Sequence, residues 1–280
     1  MELKLVKKIC SILTIYFILI LVFPVALFSN INHESNASGL DTDLENNSPQ
    51  KHVQLNDYLT MEYIQYDKPC KNLNSLSIPF SNFPGAGKRV AITFDDGPHG
   101  YWTNKYIEIL EMHKVKATFF LLGSRAELFP DAVENLVKKG FEIGNHSYSH
   151  ILMKNKKPEI IESEFKKSLE ILTNITGEKV KLFRPPYGAY DDKVIHTAAK
   201  FEQQTIIWNV DPRDWDGGEP DTISQKVLEN VSDGSIILLH EGKKNTFKAL
   251  PQIINGLKAK GYQFVTVSEL LQYSSISRKF

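Results

Sequence analysis

The sequence predicts one α/β domain with a parallel sheet from residue 88 onward, behind an apolar N-terminal segment and a polar linker. Three observations carry that expectation. Short β-rich runs alternate with helical patterns, seven such runs occur, and polar residues cluster where the runs end. Seven strands suit a closed or nearly closed barrel at least as well as an open sheet.

Taken in order, β-rich runs fall at residues 90–94, 117–122, 141–144, 181–184, 205–210, 235–239 and 263–267. Helical patterns occupy 105–114, 131–139, 159–173, 191–200, 222–231 and 247–260, and Gly140, Gly177 and Gly261 stop three of them. The bounds read from this pattern are 1–29 for a membrane anchor or signal segment, 30–87 for a polar linker or stalk, 88–272 for the α/β domain and 273–280 for a tail.

At the N-terminus, Lys4, Lys7 and Lys8 precede an uncharged apolar run, residues 9–28, about as long at helical rise as a bilayer core is thick. With those lysines held inside, the rest of the chain is exported. The run exceeds a usual signal-peptide core and no A-x-A pattern follows it, so it reads as an uncleaved anchor; Pro24 and Ala26 keep secretion after cleavage as the alternative. Residues 30–87 are rich in Asn, Ser, Asp and Pro and read as a stalk with one short element near 55–66.

The 280 residues are 42% hydrophobic and 24% charged, enough for a sizeable core and inconsistent with wholesale disorder. Lys plus Arg (33) equals Asp plus Glu (33), which leaves no excess positive charge to neutralise a phosphate backbone and argues against a nucleic-acid partner. Cys10 lies inside the apolar run and Cys70 beyond it, so no disulfide framework is expected.

Asp95 and Asp96 directly follow the first apolar run. Adjacent carboxylates at the end of a buried strand call for a cation or a shared proton, although Asp-Gly-Pro is also a common solvated turn. His146 and His150 close the third strand. A spacing of four puts both rings on one face of a helical segment, which suits two ligands of one zinc ion beside the neighbouring carboxylates. Arg184, Pro185, Pro186 and Tyr187 end the fourth strand, where the prolines leave the Tyr187 amide as a fixed donor that could face an oxyanion; a rigid turn with a surface arginine is the plainer reading. His240 leaves the wholly apolar sixth strand, either as a core histidine or, with Asp214 nearby, as an imidazolium acid. The remaining histidines, His33, His52, His99, His113 and His196, read as solvent-facing, and of these only His99 lies near the aspartate pair. With Asp211, Asp214 and Trp215 at the end of the fifth strand, five such clusters fall on one rim if the barrel rule holds.

The motifs Thr93-Phe94-Asp95-Asp96-Gly97-Pro98, His146-Ser147-x-x-His150, Arg184-Pro185-Pro186-Tyr187, Asp211-x-x-Asp214-Trp215 and Leu238-Leu239-His240 resemble, in order and spacing, the signature of the polysaccharide deacetylase family, the NodB-homology domains of carbohydrate esterase family 4. The resemblance spans residues 88–271 and breaks no motif. It implies a distorted (β/α) barrel and a divalent metal, usually Zn2+ and sometimes Co2+ or another ion. It also implies that Asp96, His146 and His150 hold the metal, with Asp95 the base and His240 the acid. Arg184 would orient Asp95, Asp214 would set the charge of His240, the Tyr187 amide would serve the oxyanion hole, and Trp215 and Leu238 would wall the acetyl pocket.

An acetamide is a weak electrophile with a basic leaving amine, so its hydrolysis needs a polarised carbonyl, an activated water and a proton for nitrogen, which these roles supply. The implied activity is N-deacetylation of an exported amino-sugar polymer, foremost N-acetylglucosamine in peptidoglycan, by a membrane-attached monomer. Chitooligosaccharides, poly-N-acetylglucosamine exopolysaccharide and N-acetylmuramic acid are the alternatives. Relatives acting on muramic acid often carry another residue after Arg-Pro-Pro, so Tyr187 weighs against that sugar. A non-catalytic glycan-binding domain would be marked by loss of a ligand, the base or the acid, and all are present. Hydrolysis of a small cyclic amide is a third class, opposed by the complete motifs and the export.

Overall fold

The computed structural model describes residues 78–277. The apolar run 9–28, both cysteines and most of the linker lie outside the described residues. Among the described residues no helix is long and apolar enough to cross a membrane.

Seven parallel strands form one sheet: β1 (Arg89–Gly97), β2 (Thr118–Leu121), β3 (Glu142–Asn145), β4 (Leu182–Phe183), β5 (Gln204–Thr205), β6 (Ile236–His240) and β7 (Gln263–Phe264). Their order is β5-β4-β3-β2-β1-β6, with β7 paired to the start of β1. β1 is therefore central, and its buried run Val90–Phe94 has the continuous apolar character of a strand covered on both faces. Beyond β5 the chain crosses to β6, where Val210 bridges Ile237.

Each strand leads into a helix whose apolar stripe covers the sheet. Pro130, Pro158 and Pro220 open the helices Pro130–Lys138, Pro158–Thr176 and Pro220–Asn230, where a missing N–H costs nothing. The main core packs Phe94 and Phe119 against Tyr106, Leu110 and Ile253 between strands and helices. Stacking of Phe94 on Phe119, with ring centroids 5.0 Å apart, ties β1 to β2 just below the rim.

The structure departs from the sequence-based bounds in identifiable ways. Packed chain begins before residue 88: Phe80 bridges Ile206, Asn82 bridges Ser235, and Phe83 is 2% exposed, so the last part of the expected linker fills the gap between β5 and β6. Gly234 makes this possible, because at φ +75° a Cβ there would come within 1.8 Å of the Phe83 carbonyl oxygen. At the other end, the helix Val267–Ser277 runs through residue 272, anchored by the buried Val267 and Leu270, where the sequence placed the start of a tail. The helix Gly123–Leu128 has no counterpart in the sequence reading, since its six residues are too few for periodicity to register. Near the runs expected at 205–210 and 263–267, regular strand covers only Gln204–Thr205 and Gln263–Phe264; isolated bridges at Ile206 and Val210 extend the first, and the helix Val267–Ser277 takes over the end of the second.

Candidate metal centre and active site

At the end of β1 the pleat is deliberately broken. In a regular strand Asp95 and Asp96 would point to opposite faces. Here the register with β2 slips between Phe94 and Gly97, and Asp96 takes a left-handed conformation at φ +69°. Both carboxylates consequently approach the same imidazole: His146 Nε2 lies 3.7 Å from Asp95 Oδ2 and 3.6 Å from Asp96 Oδ1.

His146 follows β3 and is buried, and its Nδ1–H donates to the Arg184 carbonyl at 2.8 Å. That bond leaves the Nε2 lone pair facing the aspartates. Burial is the largest influence on this ring and holds its pKa well below the usual histidine value, so the imidazole is neutral, as a ligand must be. His150 Nε2 lies 3.3 Å from Asp96 Oδ1.

The two histidines meet by a route other than the helical spacing expected from their separation of four. Residues 146–150 form an irregular loop with Ser147 at φ +72° and His150 at φ +61°. Glu164 clamps this loop, accepting from the amides of Tyr148 and Ser149 at 3.0 and 2.8 Å and from the Ser149 hydroxyl at 2.7 Å. Asn145 Oδ1 accepts from the Ser147 amide and the Ser168 hydroxyl. The i, i+4 reading thus pointed to two rings that do converge, but from the wrong local geometry.

Asp96, His146 and His150 offer three ligand atoms that all lie within 4.8 Å of one another. Asp96 Oδ1 is buried and has no hydrogen-bond partner. A buried carboxylate oxygen without a donor is costly, and two imidazole lone pairs converging on it repel rather than satisfy it. A divalent cation resolves all three at once, so the donor set fits a metal.

Arg184 is fully buried. Its Nη1 donates to Asp95 Oδ1 and to Thr93 Oγ1, each at 2.7 Å, and its guanidinium lies 4.1 Å from the centre of the Phe120 ring. The plain reading of a surface arginine is therefore corrected: a short strand delivers this side chain beneath the rim. Burial raises the Asp95 pKa above the ordinary carboxylate range, and Arg184 only partly offsets it.

Asp95 pairs in register with His240 on β6. His240 Nδ1 lies 2.7 Å from Asp214 Oδ1, while Asp214 Oδ2 accepts from the His240 amide at 2.8 Å and from Thr246 Oγ1 at 2.7 Å. Burial works against the imidazolium, but the hydrogen bond and charge of Asp214, with Asp95 and Asp96 behind it, outweigh this and raise the pKa.

Tyr187 stands at φ +61° in the turn Pro186–Gly188, its ring 67% exposed and edge-on to His150 at 4.6 Å. Among the described residues its amide finds no partner. Trp215, 45% exposed, lies in the turn Asp214–Asp216, and Leu238 is buried two residues before His240 on the same strand face. All ten residues singled out from the sequence thus belong to the ends of β1, β3, β4 and β6 and the turns beside them. Sequence reasoning missed Glu164, Asn145, Thr246 and Thr93; Thr93 sits inside a motif and Asn145 directly before one, while Glu164 and Thr246 lie on helices that carry no polar cluster.

The polysaccharide deacetylase family model matches residues 84–206. A peptidoglycan-N-acetylglucosamine deacetylase from Bacillus cereus is 40% identical over 195 residues, covering 68% of this chain and 91% of that protein. The peptidoglycan-N-acetylmuramic acid deacetylase PdaC of Bacillus subtilis is 37% identical over 183 residues, 65% of this chain and 38% of that longer protein. Among solved structures, a CE4 family pseudoenzyme from Bacillus anthracis superposes with a TM-score of 0.67 at 34% identity, covering 70% of this chain and 69% of its own.

Proposed function

The chain belongs to the polysaccharide deacetylase family, a hydrolase family, and from that premise we propose that it removes acetyl groups from N-acetylglucosamine in peptidoglycan. The observation that carries the reading is the convergence of Asp96, His146 and His150 beside a buried Asp95 that faces His240 across two paired strands. A fold likeness alone would be insufficient, since a family pseudoenzyme superposes with a TM-score of 0.67 and a peptidoglycan N-acetylglucosamine deacetylase with 0.66. The complete donor set and the paired Asp95 and His240 support a catalytic rather than a purely binding role.

Asp96, His146 and His150 would hold the ion, and two neutral imidazoles with one carboxylate favour Zn2+, with Co2+ also suited. Bound there, it supplies the Lewis acidity that polarises an amide carbonyl and acidifies water. Asp95 accepts the proton of the attacking water, a task suited to a carboxylate whose pKa burial has raised. Arg184 fixes one Asp95 oxygen by a hydrogen bond and leaves Oδ2 toward the site. His240 gives its Nε2 proton to the departing amine, and Asp214 keeps that ring protonated and oriented. The unpartnered Tyr187 amide serves the developing oxyanion, and Trp215 with Leu238 walls the acetyl methyl.

We read the seven-stranded sheet, with its Val210–Ile237 bridge, as the family's distorted (β/α) barrel. Residues 9–28 would tether a monomeric domain outside the cytoplasm, within reach of the cell wall, a placement that protease protection of intact cells would check. Acetate release from peptidoglycan, chitin oligomers and poly-N-acetylglucosamine, with and without a chelator, tests the whole reading. Chelator-sensitive release, greatest from peptidoglycan, is expected; no release from any polymer would refute it.

A further inference from the structure

A cavity of about 340 Å³ opens beside Asp96 and His150, and neither Tyr187 nor Trp215 lines it. Its volume is that of a small-ligand site. Arg125, Lys243 and His99 line it together with Asp96 and His150. Arg125 donates through Nε to the Pro98 carbonyl at 2.9 Å, which fixes the side chain, yet its terminal nitrogens meet no carboxylate among the described residues. Arg184 and Arg213, by contrast, each pair with an aspartate. Lys243 likewise has no acidic partner among the described residues.

Glu241 also lines the cavity, although its side chain is fully buried. Thr103 donates to Oε2 at 2.8 Å, and His99 Nδ1 stands 3.5 Å from the same oxygen. The opposite edge of the His99 ring, Nε2, lies against Gly242, where a Cβ would come within 2.5 Å. Thr103 and His99 thus engage only Oε2 of Glu241, whose Oε1 is buried without a hydrogen-bond partner among the described residues, while Arg125, held at Nε, and the exposed Lys243 bring two positive charges to the same lining. An unpaired guanidinium held at Nε presents a planar pair of donors, the shape that binds a carboxylate at both oxygens.

We propose that this cavity is a subsite for a carboxylate carried by the polymer next to the N-acetyl group under attack, gripped by Arg125 and attracted by Lys243. The inference rests on the deacetylase reading above and sharpens it: the preferred substrate is an acidic amino-sugar polymer rather than a neutral one. In peptidoglycan the carboxylate has two sources, the lactyl group of a stripped strand and the peptide stem of an intact one.

The test uses the full-length, metal-loaded protein and three preparations of one glycan: strands with stems removed, strands bearing stems, and strands with every carboxylate amidated. Acetate release should give the wild type at least about a tenfold higher kcat/KM on one carboxylated preparation than on the amidated strands, mainly through KM. Which of the two is preferred identifies the source. Arg125→Met should bring that ratio close to one, Arg125→Lys should retain part of it because the charge remains, and Lys243→Met should lower it less. Equal rates of the wild type on all three preparations overturn the proposal, as does an Arg125→Met variant that slows on all by the same factor, which would assign Arg125 only to supporting Pro98. Weaker inhibition by sodium acetate in Arg125→Met with the ratio intact would place the leaving acetate there instead and also overturn it. A wild type that releases no acetate from any strand removes the deacetylase reading itself, a failure distinct from loss of preference.

Discussion

His146 and His240 stand on one rim, at the ends of β3 and β6, each with Nδ1 tied down, and yet they are set for opposite charge states. His146 donates Nδ1–H to a carbonyl and is buried, so its pKa falls; His240 places Nδ1 against the Asp214 carboxylate, so its pKa rises despite burial. The ring kept neutral is fit to ligate, and the ring kept charged is fit to donate a proton. What occupies the far side of Nδ1 therefore divides the site into a metal half and an acid half.

Between the halves stands Asp95, 3.7 Å from His146 Nε2 on one side and paired in register with His240 on the other. Asp95→Asn should leave the metal half intact and lower kcat by about 10³- to 10⁴-fold. Metal content measured alongside turnover checks this, and an active variant would disprove the base assignment. Asp214→Asn attacks the acid half alone. It replaces a charged acceptor of three hydrogen bonds by an amide, so kcat should fall by about 10²- to 10³-fold. The pH profile carries the sign. An acid whose pKa is raised works below that pKa and fails as pH climbs through it, so the alkaline limb should move to lower pH when Asp214 no longer supports His240. An unmoved limb would separate His240 from proton donation.

Glu164→Gln attacks the metal half indirectly. The loop 146–150 keeps its place through three bonds to that carboxylate, and one amide substitution should weaken metal affinity by about tenfold, read by chelator competition. Phe83→Ala should lower stability by about 3–5 kcal/mol in chemical denaturation while changing metal affinity little, because Phe83 packs with the smaller core beside Ala86 and Leu182. Equal damage to both quantities would mean that the rim depends on the strap that precedes β1.

Chemistry was more legible in this sequence than geometry. The strand-end residues declare themselves because apolar runs stop on Asp, His or Arg, and the alternation of elements places those stops on one rim. Asp96 and the 146–150 loop could not be read so directly. Their positions depend on left-handed backbone and a register slip, neither of which leaves a trace in hydrophobic period. Glu164 was invisible for another reason: it sits on the helix Pro158–Thr176, where a glutamate reads as solvated surface until the loop folds over it. The segment 78–87 read as linker because four or five packed residues are too few for a strand pattern.

The central claim is that Asp96, His146 and His150 bind one divalent ion. A crystal grown with zinc and measured across the zinc absorption edge tests it most directly. One anomalous peak among Asp96 Oδ1, His146 Nε2 and His150 Nε2 is the expected result. A peak elsewhere, or none at that position with zinc in excess, would contradict the account.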